Sequence, residues 1–183
     1  MLDSPESFSS PEYLAAVERG LIRLKDATFA WGEDSSNEHI HNFRLHVPDV
    51  TFVKGKVNLI TGPTGSGKTT LLASLIGELH FEGPPGSFYH LPREGGVSYA
   101  AQESWCLSAS IKENIIFGAP YDAARCRRVL HDCGLEPDLA LFDDGDETEI
   151  GERGVTLSGG QKARVTLARA IYANTSVVLL DGG

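Results

Sequence analysis

Apolar positions change their period along this chain, and each change marks an element. Leu21–Trp31 (LIRLKDATFAW) is rich in β-favouring residues, and Phe43–Val47 alternates apolar with polar as a half-buried strand does. Pro48 interrupts that alternation, and Val50–Val53 then leads through Lys54-Gly55 into Lys56–Thr61, a run short and apolar enough for a buried parallel strand. After a glycine-rich stretch, Leu71, Leu72, Leu75, Ile76 and Leu79 recur at helical spacing. Phe81–Gly96 is loop-like, with a weak strand at Ser87–His90, and Val97–Ala101 is a second parallel-strand candidate ending at Gln102. Ser110–Phe117, Asp122–Cys133 and Pro137–Phe142 read as short helices. A further helix runs from Ser158 to about Ala173, and Val177–Asp181 reads as a buried strand. The pattern predicts an antiparallel β region, then an α/β core with a mostly parallel sheet, and a helical subdomain inserted between Gln102 and Ser158. Residues 1–20 mix Ser, Pro and acid and read as a flexible linker with one helical turn around Tyr13–Val17; residues 21–183 read as one domain.

The stretch between the predicted strand and helix carries the chemistry. Gly62–Thr69 (GPTGSGKT) fits the phosphate-loop template at every fixed position. Glycines allow backbone N–H groups to turn inward around an anion, and the helix that follows offers unpaired N–H groups and the positive end of its dipole. Lys68 then reaches phosphate oxygens, and Thr69 supplies a hydroxyl suited to Mg²⁺. Pro63, Thr64, Gly65, Ser66 and Gly67 complete the cradle, and Thr70 lies beside it.

Composition narrows the partners. A formal charge of −9, with no cluster of Lys and Arg, argues against a nucleic-acid surface. Cys106, Cys126 and Cys133 form no C-x-x-C pair and read as reduced structural thiols. No apolar run has the length of a membrane span, so the chain as given reads as soluble. His39, His41 and His46 lack the cysteines or carboxylates that would complete a metal set, and the acidic Asp143–Glu149 lacks the spacing of a calcium loop.

Three further places invite a functional reading. Gln102 stands at the carboxyl end of a parallel strand, where open α/β sheets bind ligands. Ser158 and Gln161 satisfy the capping-box pattern around Gly159 and Gly160, so helix capping and anion binding are both open there. Asp181 ends an apolar strand, a place suited to holding Mg²⁺ through its waters.

Taken in order, the phosphate loop, Gln102, LSGGQ (Leu157–Gln161) and the strand ending in Asp181 resemble the nucleotide-binding domain of ATP-binding cassette (ABC) transporters. The stretches VSYAAQESW, IKENIIFG and GERGVTLSGGQKARVTLARA look most like the first cassette of the multidrug-resistance-associated, or C, branch. The resemblance covers about Leu21–Asp181 and implies a P-loop NTPase fold that binds ATP with Mg²⁺. It implies that Trp31 stacks on adenine and that Gly62–Thr69 cradle the phosphates, with Thr70 beside them. Lys68 would contact the β- and γ-phosphates, and Thr69 and Asp181 would hold Mg²⁺. Gln102 would sense Mg²⁺ and γ-phosphate. Ser158, Gly159, Gly160 and Gln161 would face ATP held by a second cassette in a head-to-tail sandwich. The implied setting is the cytoplasmic face of a membrane, with transmembrane domains on another segment or chain.

Two departures bear on activity. Where a competent cassette carries a Glu after the strand-ending Asp, this chain has Gly182 and so no base at that position. The segment that would bear the dimer-contact loop and the switch histidine is absent, which reads as a domain incomplete at its C-terminus. Lys68 and Gln102 are then the catalytic candidates, with very weak hydrolysis expected. The alternatives are a non-hydrolytic nucleotide-binding or interaction module and a truncated fragment without function of its own.

Overall fold

A computed structural model describes residues 8–31, 43–151 and 154–182. The predicted loop at Gly32–His39, together with His39 and His41, lies outside the described residues. The chain divides between Arg93 and Glu94 into two compact units.

In the first unit everything is built on β1 (Arg23–Ala30), whose Leu24, Ala27 and Phe29 are fully buried. β1 pairs antiparallel with β2 (Arg44–Thr51), β3 (His80–Phe81) and β4 (Phe88–His90). Pro48 does not split β2 as expected. The ladder skips one pair there, passing from Lys25↔Asp49 to Ala27↔Val47, and Asp26 takes a left-handed φ of 44° opposite the proline. Among the described strands β2 pairs with β1 alone, so the missing N–H of Pro48 costs no ladder bond.

The segment expected to be linker contains a nine-residue helix, α1 (Pro11–Arg19), longer than the single turn anticipated. Its stop signals are local. The Ser10 side chain accepts from Tyr13 N–H at 3.2 Å, Pro11 opens the first turn, and Gly20 closes the helix in the left-handed conformation. Tyr13 packs edge-on against Phe88 at 5.6 Å, and Glu12 pairs with Lys25, which ties the helix to the sheet.

Lys56–Thr61 is not a strand, contrary to the sequence expectation. A strand exists only as one side of a ladder, and no described segment pairs with this one; Val57 and Leu59 stand 97% and 84% exposed. Instead the Asn58 side chain closes a local loop. It accepts from Val53 N–H at 2.9 Å and donates to the carbonyls of Val53 and Lys56 at 3.0 and 3.1 Å. The helix after the glycine loop, α2 (Lys68–Ile76), forms as predicted.

In the second unit β5 (Val97–Ala100) and β8 (Val177–Leu180) make the expected parallel pair, with Ala100 opposite Leu180. It is a two-stranded pair among the described residues, smaller than the mostly parallel sheet anticipated. Between them lie β6 (Ala109–Ser110), α3 (Ile111–Ile116), α4 (Ala123–Asp132), α5 (Glu136–Leu139), a 3₁₀ turn (Gly145–Glu147), β7 (Glu149–Ile150) and α6 (Gly159–Tyr172). Ile111, Ile115, Val129, Leu135, Val165 and Tyr172 form the core of this helical region. The buried Tyr172 hydroxyl is satisfied twice, accepting from Asp122 N–H and donating to the Pro120 carbonyl, each at 2.8 Å.

The three cysteines are free thiols; Cys126 and Cys133 are buried, which pushes their thiols up. The acidic stretch Asp143–Glu149 contains the 3₁₀ turn and the first residue of β7, and among the described residues no group of three or more His, Cys, Asp or Glu side chains could hold a metal. His46 shares a hydrogen bond with Thr28 at 3.2 Å. No described helix is long and apolar enough to cross a membrane.

Candidate functional site

Within the first unit, Gly62 to Gly67 form a loop that leads into α2, whose first three residues are Lys68, Thr69 and Thr70. Gly65 and Gly67 take φ of 82° and 89°, a region that L side chains disfavour. Gly67 is the N-cap of α2, and no side chain caps the first turn. Being a glycine, the N-cap brings no side-chain oxygen of its own to the first turn, and no acidic residue occupies that turn to compete with an anion. Lys68 bends back over the loop and donates to the carbonyls of Gly62 at 2.9 Å and Pro63 at 3.0 Å. The ammonium is thus held against the loop by weak neutral acceptors. Ser66 N–H donates to Pro63 O at 3.2 Å and closes the turn, while a Cβ on Gly62 would lie 2.7 Å from Ser66 Oγ. Thr64, Thr69 and Thr70 complete the stretch, with Thr64 and Thr69 exposed.

Two neighbours of this loop escaped the sequence reading. A Cβ on Gly67 would lie 3.2 Å from Leu45 Cδ1 and 3.6 Å from Phe43 Cζ, so the start of β2 walls one side of the loop. The signal available was only the apolar alternation of β2, which says nothing about what the strand faces. Trp31 follows β1 and is exposed, as a residue free to meet a ring must be.

Within the second unit, the parallel register brings two candidates to one edge. Asp181 directly follows β8 and Gln102 lies two residues beyond β5, whose last residues Leu180 and Ala100 are paired. Asp181 N–H donates to Ala100 O at 2.9 Å, and Tyr99 Oη donates to Asp181 Oδ2 at 3.2 Å. Gln102 is exposed. Gln102 and Asp181 here, and Thr69 within the first unit, each offer a side-chain oxygen, the donor type that Mg²⁺ prefers.

The turn at Leu157–Gln161 forms the capping box. Ser158 Oγ accepts from Gln161 N–H at 3.3 Å, and Gln161 Oε1 accepts from Ser158 N–H at 2.9 Å. Leu157 anchors the turn in the core, while a Cβ on Gly159 would meet nothing within 4 Å. Capping and an open, approachable first turn therefore coexist. The Gln161 side chain has both ends engaged inside its own unit, since Nε2 also donates to Asp138 Oδ1 at 3.3 Å. Beside the turn, Cys106, Ile150, Val155, Leu157 and Lys162 border a cavity of about 300 Å³. Burial pushes the Cys106 thiol up, against the opposing pull of Arg169 and Lys162.

Comparison with known proteins agrees with these features. The family profile described as ABC transporter matches residues 45–182. The chain is 46% identical over 175 residues to "ABC transporter 7" of Pyricularia oryzae, covering 88% of this chain and 10% of that protein. It is 47% identical over 160 residues to "ATP-binding cassette transporter abc4" of Schizosaccharomyces pombe, covering 87% and 10%. With "ABC transporter C family member 3" of Dictyostelium discoideum it shares 44% identity over 168 residues, 91% of this chain and 11% of the other. The chain spans about a tenth of the length of these relatives. Its matched region and its C-branch relatives show that the chain belongs to the ABC transporter family, as a nucleotide-binding domain of the C branch.

Proposed function

We propose that this chain is the ATP-binding part of a first cassette in a C-branch transporter, that it binds MgATP through Gly62–Thr70, and that its own hydrolysis is very weak. The observation that supports this most is the loop itself, with two left-handed glycines, the second of them the N-cap of the helix that follows, and with Lys68 poised on two loop carbonyls. A triphosphate offers Lys68 charged acceptors in place of neutral ones, and a charge-assisted bond is roughly twice as strong as a neutral one. Lys68 accordingly leaves Gly62 O and Pro63 O for phosphate oxygens. Trp31 stacks on the base, and Phe43 and Leu45 keep one wall of the loop dry.

The hydroxyl of Thr69 and the side-chain oxygens of Gln102 and Asp181 are the groups that would hold Mg²⁺, which would supply positive charge to offset that of the phosphates. Tyr99 orients the Asp181 carboxylate for this purpose through its bond to Oδ2. At position 182 the chain has no side chain to orient or deprotonate a water, and general-base assistance is typically worth about 10²- to 10⁴-fold. The turn at Ser158–Gln161 faces ATP held by a second cassette in a head-to-tail sandwich, at the cytoplasmic face of the membrane that the transmembrane domains span.

Calorimetry of MgATP binding, with Lys68→Ala as control and phosphate release on the same samples, tests this reading. Binding that disappears in Lys68→Ala, without phosphate release, is the expected result; robust Lys68-dependent hydrolysis would overturn the inference from Gly182. A second reading, a module that uses ATP only to associate with a complete cassette, is favoured by the same glycine. It requires that MgATP strengthen association with such a cassette while phosphate release stays at background.

A further inference from the structure

The Gln161 side chain makes three demands on its surroundings. Its Oε1 must face Ser158 N–H to cap the turn, its Nε2 must then point the other way, and that donor needs an acceptor. Asp138, on the short helix α5, meets the third demand. Its Oδ1 accepts from Gln161 Nε2 at 3.3 Å and from Arg164 Nη2 at 2.9 Å, and its Oδ2 accepts from Arg164 Nε at 2.7 Å. The Asp138 side chain is only 14% exposed, so these bonds form with little competing water. A two-oxygen, fork-to-fork pair of this kind fixes direction as well as distance. Arg164 in turn flanks the turn, since a Cβ on Gly160 would sit 3.6 Å from its Nη1.

The two ends of a glutamine amide have nearly the same shape, so packing alone does not decide which end faces Ser158. A carboxylate decides it, because it takes the NH₂ end and leaves the carbonyl for the cap. We infer that Asp138 is a positioning residue for the turn opening α6: it orients the Gln161 amide so that Ser158 is capped and the Gly159 and Gly160 N–H groups face outward toward a nucleotide phosphate. This deepens, and rests on, the proposed role of that turn. Arg164 holds the Asp138 carboxyl below its ordinary range, with Gln161 adding to the effect, so the clamp is charged at neutral pH.

The test is an isosteric swap with a designed rescue. Asp138→Asn keeps the shape but has one acceptor oxygen where the carboxylate has two, so Gln161 Nε2 and the Arg164 fork compete for it and the Gln161 amide is held in its capping orientation less firmly. Adding Gln161→Glu gives Ser158 N–H an acceptor whichever way the side chain turns, because both oxygens of a carboxylate accept. Hydrogen exchange on the 183-residue chain, followed by NMR, should show the Ser158 amide exchanging about tenfold faster in Asp138→Asn, the scale of one lost cap. The double variant should return it to the wild-type rate. Unchanged Ser158 exchange in Asp138→Asn overturns the proposal. So does faster exchange spread over α5 and α6 alike without rescue, because that is the signature of a merely structural ion pair. A separate arm follows MgATP-driven self-association by sedimentation, alongside nucleotide affinity of the phosphate loop. Asp138→Asn should weaken association about tenfold and leave loop affinity unchanged, the same scale of loss. If the wild type shows no MgATP-driven association, the sandwich reading falls, while the exchange result still decides the clamp.

Discussion

Arg169 Nε donates to the backbone carbonyl of Asn114 at 2.8 Å, across 55 residues of sequence, and this bond joins α6 to α3. The same guanidinium donates through Nη2 to Asn114 Oδ1 and Trp105 O, and its carbon lies 3.8 Å from the Trp105 ring centroid. Asn114 is fully buried and grips Leu107 through both N–H and carbonyl, so the segment that follows Gln102 is fastened to the helix that begins at the LSGGQ turn.

Arg169 should therefore be intolerant of substitution. Its partners are carbonyl oxygens and aromatic faces, and removing the guanidinium takes the donor from the backbone carbonyl of buried Asn114 and one of two donors from Asn114 Oδ1 and from Trp105 O. Arg169→Met is expected to cost about 2 to 4 kcal/mol, and Arg169→Lys to recover only part of it, since an ammonium lacks the planar fork. Urea unfolding followed by the fluorescence of Trp105 measures both; a loss below about 0.5 kcal/mol, the level of a surface change, would contradict the network.

The contrast between local and distant signals explains what the sequence made legible. Ser158 with Gln161 and the Gly62–Thr69 template are spacings of a few residues, and each describes its own geometry. Asp138 and Arg164 are 26 residues apart, and nothing in either position announces the other. Lys56–Thr61 failed for a related reason: apolar composition qualifies a segment for a sheet but does not supply the neighbouring strand, and the Asn58 side chain offers the backbone an alternative. In α1 the signals were present. Ser10-Pro11 and Gly20 bracket a helix, yet the surrounding Ser, Pro and acid read as linker.

The two left-handed glycines of the phosphate loop should respond differently to alanine. At Gly65 a Cβ meets nothing within 4 Å, so Gly65→Ala carries backbone strain alone, on the order of 1 kcal/mol. At Gly67 the Cβ also presses on Leu45 Cδ1 at 3.2 Å, so Gly67→Ala should lose more stability and weaken MgATP binding further. Melting temperature and calorimetric affinity for the pair give the order; equal effects would mean that the wall formed by Leu45 yields freely.

Stability should also depend on the Asp138 clamp in a defined pH range. Its carboxyl titrates below the ordinary value in the folded chain, chiefly through its hydrogen bonds to Arg164. A depressed folded pKa contributes stability that is fully present above the unfolded value of about 3.9 and is lost as pH falls through the folded one. The difference in urea midpoint between wild type and Asp138→Asn should thus stay constant from about pH 7 to about 5 and narrow as pH falls below about 4. A difference that narrows at the higher end of that range would assign the effect to another group.

Position 182 offers the sharpest test of why hydrolysis should be weak. Gly182 follows Asp181, which Tyr99 and the Ala100 carbonyl hold at the end of β8, and a Cβ there would meet nothing within 4 Å. Gly182→Glu therefore adds a carboxylate without displacing a neighbour, next to the residue proposed to hold Mg²⁺. If the absent base limits the reaction, this one change should raise phosphate release by up to about 10²-fold, the low end of what a positioned base contributes, and leave MgATP affinity within about twofold. The bell-shaped or sigmoidal pH dependence of a carboxylate base should appear with it. Release that stays at background while ATP still binds would place the deficiency elsewhere than at position 182, and an affinity that falls with no gain in rate would show the new carboxylate repelling the phosphates instead of activating water.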